Sequence, residues 1–90
     1  MNDRAERLAA VRVLVVDDDA DQLDIVRRLF ERAGLTDVST ADHAALALDV
    51  ARSAQPDLIV LDLAMPGRSG WDLLPDLHVA SPLSLSLIHI

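Results

Sequence analysis

Apolar residues in this chain fall into two short continuous runs and three periodic stripes. The continuous runs are Val11-Arg12-Val13-Leu14-Val15-Val16 and Leu58-Ile59-Val60-Leu61. Runs of this length, rich in valine and isoleucine, predict strands buried on both faces, as in a parallel sheet. Between them Leu23, Val26, Phe30 and Ala33 recur at helical spacing, with Ile25 and Leu29 widening the stripe. Asp19 or Asp21 is placed to cap the start of that helix, and Gly34 to end it. Val38-Ser39-Thr40 reads as a short, less apolar strand, expected at a sheet edge. A second amphipathic helix is expected from Ala44 to Ala54 through Leu46, Leu48, Val50 and Ala51, stopped by Pro56. Gly70 opens a third, through Trp71, Leu73, Leu74 and Leu77, in which Pro75 removes a donor and should weaken the helix. The N-terminal residues, from Met1 to Arg7, are charged and lead into the first strand.

Strands are thus predicted near residues 11–16, 37–40 and 57–62, alternating with helices. That order implies right-handed βαβ units, a parallel sheet and an α/β fold. The chain divides into a lead-in over 1–10, one small domain over 11–82, and a tail over 83–90. Asp76 is the last charged residue before a tail of Leu, Ser, His, Ile, Val, Ala and Pro.

Ninety residues allow one domain. Only 2% of them are aromatic, so the core must be aliphatic. The net charge of −7 argues against a direct nucleic-acid surface and against anionic membranes. The chain has no cysteine, which excludes disulfides and thiolate metal sites. No segment has the apolar core of a signal peptide or the length of a membrane span, so a cytoplasmic location is expected.

The chemistry gathers at the ends of the two continuous runs. The first ends in Asp17-Asp18-Asp19, the second in Asp62, followed by Leu63-Ala64-Met65-Pro66-Gly67. Open α/β sheets bind ligands in the crevice beyond the carboxyl ends of their strands. Carboxylates meeting there about 5 Å apart repel by roughly 3 kcal/mol per pair at an effective dielectric near 20. A hard divalent cation such as Mg²⁺ would offset that repulsion. The bland alternative is that these aspartates are strand-end caps. Asp19 and Asp21 fit capping better than ligation, and His43, His78 and His89 have no metal-site spacing.

The motifs V-L-V-V-D-D at Val13–Asp18, P-D-L-I-V-L-D-L-A-M-P-G at Pro56–Gly67 and G-W-D-L-L at Gly70–Leu74 resemble the receiver domain of bacterial two-component response regulators. The resemblance implies a flavodoxin-like parallel sheet with strand order 2-1-3. It implies that Asp62 accepts a phosphoryl group from a sensor histidine kinase or phosphotransfer protein. It further implies that Mg²⁺ is held by Asp18 and Asp62, by Asp17 through water, and by the backbone carbonyl of Ala64. The chain would be a signalling module in a phosphorelay, not an enzyme.

Three departures from the family stand out. The chain supplies three strands and three helices where the family has five of each, so the fold reads as truncated after the third helix. The family's serine or threonine after the fourth strand is not identifiable, and its lysine is missing, since the chain contains no lysine. Those residues read and neutralise the phosphoryl group, so signalling by this fragment is expected to be impaired. Ser69 stands where the family usually has an acidic residue. The tail Leu83–Ile90 reads as a fourth strand, as an exposed tail, or as foreign sequence. The last is favoured, because Leu85–Ile90 resembles the translation of a transposon-end adaptor used in sequencing libraries. If extended, the tail should lie beside the third strand.

An enzyme is the contrasting reading. A haloacid-dehalogenase-like phosphohydrolase also uses a strand-end aspartate with Mg²⁺, but wants a second aspartate where Ala64 stands. A dinucleotide-binding fragment lacks its G-x-G-x-x-G after the first strand.

Overall fold

A computed structural model of the chain describes residues 3–62, 70–83 and 85–89. The elements are α1 (Asp3–Ala10), β1 (Arg12–Val16), α2 (Ala20–Arg32), β2 (Asp37–Ala41), α3 (Ala44–Ala54), β3 (Leu58–Asp62), α4 (Gly70–Ala80) and β4 (Leu85–His89). The strands form one parallel sheet in the order β2-β1-β3-β4. The order 2-1-3 is the one expected. β4 pairs with β3, the position expected for an extended tail, and runs parallel to it from Leu58↔Leu85 to Asp62↔His89.

Burial explains why β1 is central. Its residues Val13 to Val16 are all buried, and they split by parity between two cores. Leu14 and Val16 join Ile59, Leu61, Ala47, Ala51, Leu73 and Leu77 in the core under α3 and α4. Val13 and Val15 join Leu23 on the other face, with Val26, Phe30, Val38, Leu58 and Val60 packed around them. Each fully buried aliphatic side chain stabilises the fold by about 1.5–3 kcal/mol.

α2 ends as Gly34 predicts. Gly34 sits at φ 99°, its N–H donates to Glu31 (3.0 Å), and the Leu35 N–H donates to Phe30 (2.9 Å). This is a Schellman cap, and the positive φ is the reason for glycine there. At its other end Asp19 accepts from the N–H groups of Asp21 (2.9 Å) and Gln22 (3.3 Å), so Asp19 rather than Asp21 is the cap.

Three local expectations need correction. The lead-in is helical, because Asp3–Ala10 forms α1. Ile25 and Leu29 do not widen the buried stripe of α2, being 51% and 59% exposed. In α3 Ala51 is buried and Leu48 and Val50 pack against the core as expected, but Leu46 is exposed and Ala47 is buried instead. Alanines allow the helix to approach β1 closely. As expected, α4 contains Pro75, and it continues to Ala80. Leu73 and Leu77, one on each side of Pro75, are completely buried and hold the helix on the sheet.

The turn from α3 to β3 is tied to the end of α4. Gln55 takes the left-handed conformation (φ 48°), and its side-chain amide donates to the carbonyls of Ala51, Arg52 and Ala80. Ser81 is buried, and its hydroxyl donates to the Pro56 carbonyl at 3.2 Å.

Candidate functional site

Asp17, Asp18 and Asp62 meet at the carboxyl ends of β1 and β3. Each offers an oxygen within 4.8 Å of the others. Two local features bring them together. β1 and β3 pair with Val16 opposite Leu61, so the next position in each chain sets Asp17 level with Asp62. Consecutive residues of an extended chain point to opposite faces, so Asp18 would otherwise turn away. Asp17 prevents this. Its N–H donates to Ala41 (3.1 Å) and its Oδ1 accepts from the Asp19 N–H (3.0 Å), an Asx turn that bends the chain after β1.

Asp17 and Asp62 are half-buried and Asp18 is exposed. Burial pushes the Asp17 carboxyl above its ordinary value. The Asp19 N–H pulls it back, and then the charge of Asp62, a hydrogen bond to it and the charge of Asp18 push it up again. A carboxyl raised by neighbouring carboxylates marks crowded negative charge. Oxygen donors at this separation suit a hard cation such as Mg²⁺ or Ca²⁺.

Ala64, named for its backbone carbonyl, lies outside the described residues, as do Met65, Pro66 and Ser69. His43 is not one of the clustered residues; its Nδ1 lies 2.7 Å from Asp42 Oδ1, and this contact lowers the Asp42 carboxyl. At the opposite end of the strands Asp57 accepts from the Arg12 backbone N–H (2.9 Å) and pairs with its guanidinium (3.5 Å). Sequence reasoning missed that pair. Its only signal was a charged residue at the start of each continuous run.

The pattern that defines the response regulator receiver domain matches residues 13–89. The chain belongs to that family. This receiver is similar to a protein of Pseudomonas aeruginosa provisionally named a transcriptional regulator, with 46% identity over 63 residues, covering 70% of this chain and 30% of the relative. It is also 40% identical over 74 residues to protein-glutamate methylesterase/protein-glutamine glutaminase 1 of Anaeromyxobacter dehalogenans, covering 82% of the chain and 21% of that protein. The receiver therefore spans less than a third of either relative. Among solved structures it resembles a response regulator of Burkholderia pseudomallei, determined with a phosphorylated aspartic acid, calcium ion and citrate. There the TM-score is 0.81 at 28% identity, covering 87% of this chain and 45% of the other. A receiver is a signalling domain, and membership of this family disfavours the phosphohydrolase reading. Among the described residues no helix is long and apolar enough to cross a membrane.

Proposed function

We propose that this receiver accepts a phosphoryl group on Asp62 from a phosphohistidine of a sensor kinase or phosphotransfer protein in the cytoplasm. The observation that carries the reading is the convergence of Asp17, Asp18 and Asp62 at the ends of two adjacent parallel strands. A carboxylate oxygen of Asp62 attacks phosphorus in line with the histidine nitrogen. The O–P bond forms as the N–P bond breaks, and the imidazole keeps the electron pair and takes up a proton. Attack of one anion on another needs charge neutralised in the transition state, which Mg²⁺ supplies when bound. Asp18 and Asp62 would hold it directly, Asp17 through water, and Ala64 through its carbonyl. Asp17 also braces Asp18 through the turn described above. The similar Burkholderia pseudomallei regulator carries a phosphorylated aspartic acid and a calcium ion, which supports both parts of the reading.

The domain has no substrate turnover of its own in this proposal. The test is treatment with a small-molecule phosphodonor and Mg²⁺, followed by mapping of acid-labile phosphate by mass spectrometry. Phosphate on Asp62, absent from Asp62→Asn, is expected. Equal labelling of that variant would overturn the assignment.

A further inference from the structure

We draw no further inference here: the strongest candidate, the groove of about 460 Å³ between α3 and α4 with Leu48, Arg52, Asp76, Val79 and Ala80 in its lining, is an unpartnered interhelical surface, and nothing in the structure shows what covers it.

Discussion

Arg12 and Asp57 grip each other through both backbone and side chain. The Asp57 N–H donates to the Arg12 carbonyl at 2.7 Å, the Arg12 N–H donates to Asp57 Oδ2 at 2.9 Å, and the guanidinium lies 3.5 Å from Oδ1. They stand at the foot of β1 and β3, and the pairing above them keeps their offset of 45 residues. A clamp at the foot therefore fixes which residues come level at the top, where Asp17 meets Asp62.

The Arg12 N–H first, and then its guanidinium, hold the Asp57 carboxyl below its ordinary value of 3.8. A depressed carboxyl contributes stability above its unfolded value, and the contribution is lost as pH falls through the folded value. Asp57→Asn should therefore destabilise the chain at neutral pH. Both side chains are about half exposed, 49% and 50%, so the loss should stay below about 1 kcal/mol. Urea melts of parent and variant should converge as pH drops through the folded carboxylate's range. A gap that persisted in strong acid would contradict the pairing.

Asp19 caps α2, and its neighbour Asp18 is proposed as a Mg²⁺ ligand. Asp19→Ala removes the α2 cap and should cost about 1 kcal/mol, leaving Mg²⁺ affinity unchanged. Asp18→Ala should weaken Mg²⁺ binding with little effect on stability. Titration calorimetry alongside chemical denaturation separates the two. Equal Mg²⁺ affinities for both variants would remove Asp18 from the ligand set.

Gln55 carries a left-handed backbone and three side-chain bonds. Gln55→Ala loses the bonds and keeps the strain. Gln55→Gly loses the bonds and relieves it. Alanine should therefore be the more destabilising by about 1 kcal/mol, read from urea midpoints. The reverse order would mean that the backbone conformation is not retained in solution.

Ile59 is completely buried, whereas Leu29 is 59% exposed. Ile59→Ala should cost about 2–5 kcal/mol, enough to threaten the fold. Leu29→Ala should cost well under that in dilute solution. Comparable losses would show that α2 meets the sheet through a different face.

How far the sequence revealed this molecule depends on where each element's stability comes from. β1 and β3 are nearly continuous apolar runs, β1 being buried on both faces and β3 on one with the other half-buried, so their existence and places were legible. α3 was legible to its ends, since Pro56 bars its continuation. The place of Ala47 on the inward face of α3 was not, because hydrophobicity favours Leu46 while close helix–sheet packing favours a small residue. α1 went unread, as none of its eight residues is buried and only Leu8 among them is a large apolar side chain. The acidic cluster was legible as three aspartates at two strand ends. The Asx turn that aims Asp18 was not, because it depends on the Asp17 side chain reaching the backbone of Asp19.

Every partner across the β1–β3 ladder is 45 residues downstream, as Val13 with Leu58 is. Bringing such distant segments together costs loop-closure entropy before any contact rewards it. Helix α2 and its cap can form from neighbours alone, but the acidic cluster exists only once β3 lies beside β1. Its chemistry is therefore tied to the late events of folding. After dilution from urea, recovery of Mg²⁺ binding should trail recovery of the helical signal, and simultaneous recovery would rule out that order. Until the strands meet, the nascent chain has its aspartates but no place for them to act together.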